Sequence, residues 1–185
     1  DTKRLCFVGQ DTFQAGRTAA GLMGEMTGGS GQVAIISGQV ANPGLISRQK
    51  GFSTEIKESF PGIEVVDTRY SYDDEWVASK IVEELLELYP ELTGIYITGH
   101  GVKGVCQTLQ KLGKDKTMHV IANDFLEENL KWLKEGTINF LIGQDAAVQG
   151  HSPVTILFQL LFDNKTPEKE YQYTDIVIRT KYNMG

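Results

Sequence analysis

The sequence predicts an α/β fold, a doubly wound, mostly parallel sheet with helices on both faces. Short β-branched runs alternate with longer helical stretches, the order that builds such a sheet. Several of the runs are almost continuously apolar, as strands covered on both faces are. Glycine is in surplus, with 20 residues in 185 against a usual share of ~7%. Much of it, at Gly9, Gly38, Gly99, Gly101 and Gly143, falls in predicted strand-to-helix turns. Open α/β sheets bind their ligands beyond the carboxyl ends of the strands, where those turns lie.

Taken in order, strands are expected at 5–9 (LCFVG), 32–38 (QVAIISG), 63–69 (IEVVDTR), 94–98 (GIYIT), 118–122 (MHVIA), 138–143 (INFLIG) and 174–180 (TDIVIRT). Helices are expected near 13–27, 44–59, 74–89, 101–112, 125–134 and 146–162. In the third helix Trp76, Val77, Ile81, Leu85 and Leu88 follow a helical face. Asp73 and Asp74 stand just before it, where an N-cap and the helix dipole favour acid. GGSG at 28–31 reads as a helix-ending loop, because the same alternation continues on either side. The last helix carries Val148, Ile156, Leu157, Leu160, Leu161 and Phe162. That face is too apolar to lie in water, so it is expected to pack on a neighbouring chain.

Charge and cysteine narrow the function. Eighteen Lys plus Arg against 24 Asp plus Glu give a net charge of −6, which disfavours direct nucleic-acid binding by these residues. Cys6 and Cys106 sit in apolar runs and read as small buried hydrophobes, so a disulfide scaffold is excluded and a reducing, cytoplasmic compartment is expected. No apolar run approaches the ~18–20 residues that span a bilayer, and DTKRLCFVGQ lacks the apolar region of a secretory signal.

Gly99-His100-Gly101-Val102-Lys103-Gly104 is a literal G-x-G-x-x-G after a strand, with Asp124 farther on, and so admits a dinucleotide reading. Chance matching in a glycine-rich turn is the competing explanation. His100, His119 and His151 share no metal-ligand spacing, and no nucleophile motif is present. Neither a metal site, a cofactor nor a catalytic residue is therefore assigned. A different group gathers at the strand ends: Arg48, Tyr72 with Asp73, Thr98, Asp124 and Gln144. Carboxylate, guanidinium, amide and hydroxyl beside an aromatic ring suit a neutral polyol.

The runs V-G-Q-D-x-F-x-A-G-R-x-A-A at 8–20, SRQKGF at 47–52, FPGIEVV at 60–66, LTGIYIT, VIAND at 120–124 and KEGTINFLIGQDAAVQG at 134–150 carry a family resemblance. Together they resemble the effector-binding domain of LacI-family transcription regulators, whose fold is shared with periplasmic sugar-binding proteins. The resemblance implies a sugar effector held by Arg48, Tyr72 (or, one register on, Asp73), Thr98, Asp124 and Gln144. Where the family often has Asn-Asp after the fourth strand, this chain has Thr98-Gly99-His100. It also implies that residues 1–144 form the C-terminal lobe, 145–173 belong to an N-terminal lobe and 174–185 return. Operator DNA would be met only through a separate head, and the protein would be a homodimer without membrane contact. A sugar receptor of an ABC transporter is the alternative, distinguished by a signal peptide or lipobox cysteine in place of a helix-turn-helix.

Overall fold

A computed structural model describes residues 3–184. In chain order the elements begin β1 (Phe7–Gln10), α1 (Thr12–Thr27), β2 (Ser30–Ser37), α2 (Pro43–Ser59), β3 (Gly62–Tyr70), α3 (Glu75–Leu88) and β4 (Leu92–Ile97). They continue α4 (Val102–Lys111), β5 (His119–Asn123), α5 (Glu127–Glu135), β6 (Phe140–Gln144), α6 (Ala146–Asp163), β7 (Tyr171–Thr174) and β8 (Ile176–Arg179). The chain divides into two compact units: Thr12–Gly143 with the residues from Ile178 onward, and the residues up to Asp11 with Gln144–Val177.

The main sheet has the order β3-β2-β4-β5-β6-β8, and the larger unit holds β2 to β5 whole and most of β6. The pairs β2–β3, β2–β4, β4–β5 and β5–β6 are all parallel. Register aligns the side chains into rows: Ile36 pairs with Ile97, Ile97 with Ala122 and Ala122 with Leu141. That row joins Val82 and Leu85 of α3, Val105 and Leu109 of α4 and Leu133 of α5 in one buried cluster. The alternate row, Ile35, Tyr96 and Ile121, faces the other way and is equally buried. Phe52 of α2 stacks on Tyr96, ring centroids 4.8 Å apart, so α2 covers this second face. Continuous burial of successive strand residues is the reason these strands read as unbroken apolar runs.

Helix starts follow local chemistry. Asn42 caps α2 through its Oδ1, which accepts from the N–H groups of Gly44 and Leu45, with Pro43 in the first turn. Asp74 caps α3 by accepting from Val77 N–H. Two glycines inside helices set the packing. A Cβ at Gly16 of α1 would collide with the carbonyl oxygen of Arg48, and one at Gly51 of α2 with that of Phe13. Thus α1 and α2 touch backbone to backbone. Gly104 of α4 does the same against Glu75 O of α3. Part of the glycine surplus therefore serves helix crossings and not turns.

In the smaller unit β1 pairs with β7 in parallel, and Phe7, Tyr171 and Tyr173 form a ring cluster. Arg4 lies over the Tyr171 ring at 4.9 Å and donates to Glu170 at 3.2 Å. Helix α6 includes Pro153 and has no buried residue.

The expected α/β architecture holds, with three local corrections. The single strand expected at 174–180 is two strands in two sheets, since Asp175 interrupts it. The first strand, expected in the main sheet, pairs with β7 in a separate two-stranded sheet. At GGSG only Gly28 and Gly29 turn. Ser30 and Gly31 already belong to β2, where Gly31 sits at φ 122° over Thr93.

Candidate functional site

Within the larger unit the strand order reverses between β2 and β4, the topological switch point where open α/β sheets form a crevice. A crevice of about 190 Å³ opens there, beyond the carboxyl ends of β2, β4 and β5. It is smaller than the ~300–1,000 Å³ of pockets for drug-sized ligands, which suits a small polar molecule.

Its floor is built from one arginine. Arg48 is 4% exposed. Helix α2 carries it inward, and its Nη1 donates to Thr98 O at 2.8 Å. Its Nη2 lies 3.8 Å from Asp124 Oδ1. Asp124 follows β5 in the left-handed region, at φ 71°, a conformation that aspartate tolerates better than most residues. Asn129 fixes that bend by donating to the carbonyls of Asn123 and Asp124, at 3.1 and 3.0 Å.

Arg48 and Asp124 are thus brought together in the crevice. Thr98 lies beneath it, 0% exposed, with its hydroxyl on Ser37 Oγ at 2.9 Å. Its carbonyl holds the arginine, so it acts as a support and the wall is formed by Gly99 and His100 instead. Tyr72 is 62% exposed and does not line the crevice; its neighbour Asp73 does. Both occupy left-handed backbone, φ 55° and 62°, and this double turn ends the strand alternation on which a register estimate depends. Gln144 ends β6 in the smaller unit.

Asn123 was not anticipated. It is 1% exposed and lines the crevice. Its Nδ2 donates to Ile97 O at 2.9 Å and to the Tyr96 hydroxyl at 3.2 Å. Its Oδ1 is buried with no hydrogen-bond partner among the described residues. The Asn-Asp pair closing VIAND was the available signal. Lys103 and Glu128, 3.4 Å apart, form part of the rim. Among the described residues no group of three or more His, Cys, Asp or Glu could hold a metal ion.

Burial pushes the Tyr96 hydroxyl up to about 12, with the Asn123 hydrogen bond pulling the other way. Burial likewise pushes the Cys106 thiol well above its ordinary range, nearby carboxylates adding to the effect. Both groups must ionise in the unfolded chain near ~8.5 for Cys and ~10 for Tyr. Their contribution to stability is therefore complete below those values and is lost as pH rises from them toward the higher folded-state values. Urea unfolding followed by circular dichroism should show a midpoint that is flat from pH 7 to 8 and falls steadily from about pH 9 upward. Cys106→Val should remove the earlier part of that fall.

A parallel sheet with an arginine-floored polar crevice at its switch point is the arrangement in which open α/β domains hold small molecules. Residues 1–165 match the family described as periplasmic binding protein domain, and the chain belongs to that family. No curated protein is detectably similar to it in sequence. Among solved structures, it is similar to a sugar-binding protein of a sugar ABC transporter from Bacillus halodurans, at 28% identity and TM-score 0.92, covering 99% of this chain and 66% of that one. An ABC transporter solute-binding protein from Burkholderia graminis, in complex with D-arabinose, is 32% identical with TM-score 0.89, over 98% of this chain and 64% of that one. GanP, a glucose-galactose binding protein from Geobacillus stearothermophilus, shares the fold at 23% identity and TM-score 0.91, over 99% and 65%. The chain thus spans about two thirds of the length of these structures, or slightly less.

Proposed function

We propose that this chain is part of a sugar-binding receptor of an ABC transporter, which binds its ligand without chemistry. The observation that carries the reading is the Arg48–Asp124 floor at the switch-point crevice. A guanidinium donates in a fork and a carboxylate accepts from vicinal hydroxyls, the pairing a polyol requires. Family membership and the solved structures of transport receptors support it. They favour the transporter over the LacI-type regulator. That regulator reading, with its operator DNA, homodimer and cytoplasmic location, gains no support from them. No helix among the described residues is long and apolar enough to cross a membrane, and on this reading the membrane partner is a separate permease.

Calorimetry on the protein at its native length, with D-arabinose, D-galactose and D-glucose, tests the proposal. At least one is expected to bind. Asp124→Ala should weaken binding by about 1.5–3 kcal/mol, the range for a hydrogen bond to a charged group. No binding by any of the three, or an affinity unchanged in the variant, would sink the reading. Cell fractionation supplies an independent check, because a regulator stays in the cytosol and a receptor does not.

A further inference from the structure

The crevice has more negative than positive charge to offer. Four carboxylates line it, from Asp73, Glu75, Asp124 and Glu128, against two permanent cations, Arg48 and Lys103. Both cations have carboxylates beside them: Arg48 faces Asp124 at 3.8 Å and Lys103 faces Glu128 at 3.4 Å. Neither Asp73 nor Glu75 forms a salt bridge with a lysine or arginine among the described residues. Glu75 instead accepts from Gly104 N–H at 2.6 Å.

Asp73 is held in place with some care. Its Oδ2 accepts from Gln39 Nε2 at 2.8 Å, and its Oδ1 lies 4.0 Å from Nδ1 of the exposed His100. The carboxyl is seated against Gly38, where a Cβ would collide with Oδ1. Two successive left-handed residues, Tyr72 and Asp73, bring it there, and strained backbone of this kind gathers at ligand-binding sites. An independent observation points the same way. Asn123 Oδ1, on a side chain 1% exposed that lines the same crevice, is an acceptor with no donor. Both features ask for a ligand rich in donors and not negatively charged.

We propose that the ligand is an amino sugar, whose ammonium is received by Asp73 with Glu75 near it, while its hydroxyls meet Arg48 and Asp124. The proposal rests on the sugar-receptor reading and narrows it. A full positive charge beside a carboxylate adds a Coulomb attraction that a neutral hydroxyl lacks, so the ammonium is selected over a hydroxyl at the same position. Sugar acids are rejected by the same carboxylates.

The test is calorimetry at pH 7 on the native-length protein with matched pairs: D-glucose and D-glucosamine, D-galactose and D-galactosamine, with D-glucuronate and D-galacturonate as the anionic arm. At least one amino sugar should bind tenfold or more tighter than its parent, with no detectable binding of either uronate. Asp73→Asn should bring that amino sugar to within about threefold of the parent; asparagine tolerates left-handed backbone, so the variant keeps the turn. A parent sugar that binds as tightly as its amino derivative overturns the proposal and leaves the receptor reading standing. So does an ammonium preference that survives in Asp73→Asn. If no neutral or amino sugar binds, the receptor reading falls and this proposal with it.

Discussion

Arg48→Ala is expected to lower the stability of the larger unit by about 3 kcal/mol and to abolish measurable ligand binding. Two losses add up. The substitution empties the space of a long side chain that is 4% exposed, and truncating a buried side chain leaves a cavity as well as losing transfer energy. It also removes the donor to Thr98 O, orphaning a buried carbonyl in the strand-end turn. Asp124 is half exposed and is solvated by water when its partner goes, which keeps the cost below that of breaking a fully buried pair. Urea unfolding by circular dichroism, with calorimetry on the folded fraction, reads both effects. A variant of wild-type stability would mean that the guanidinium contributes nothing to the floor.

Gly51→Ala is expected to be nearly as damaging although it lies in a helix, where alanine is ordinarily favoured by about 1 kcal/mol. The sign reverses because a Cβ at Gly51 would occupy the position of Phe13 O. Helices α1 and α2 must then separate, at a cost of about 3 kcal/mol, the upper end of ordinary overpacking. Since α2 also carries Arg48, ligand affinity should fall together with the unfolding midpoint. Gly21→Ala, at a position with nothing within 4 Å, is the control and should leave both unchanged or slightly improved. If Gly51→Ala behaved like Gly21→Ala, the close helix contact would be refuted.

The layered α/β fold was legible because its strands are buried on both faces, and unbroken apolar runs such as VAII and IYI carry that burial directly. The helix start at Asp74 was legible for an equally local reason, the cap itself. What could not be read was which sheet a strand joins. The run after Tyr173 looks continuous, yet β7 and β8 pair with different partners, a matter of long-range register. At the site, Arg48 in the helix after β2 and Asp124 at the end of β5 are readable from residue type and place, and the structure brings both to the crevice. An aromatic fits a sugar face, which favours Tyr72 in sequence, whereas a double left-handed turn decides which of the two residues reaches the crevice. Asn123 escaped because its role depends on which of its amide atoms is already satisfied, and no spacing encodes that. Glycine misled in part: Gly16, Gly51 and Gly104 answer to neighbouring helices that lie far away in sequence.

The arginine of the floor donates to a main-chain carbonyl, that of Thr98, just beyond the end of β4. Every amino acid supplies the same carbonyl, so the identity of residue 98 is not what secures the anchor. Sequence change can therefore accumulate at the rim of this strand while the arginine keeps its seat. Such an arrangement lets the walls of the crevice be altered while the floor stays in place.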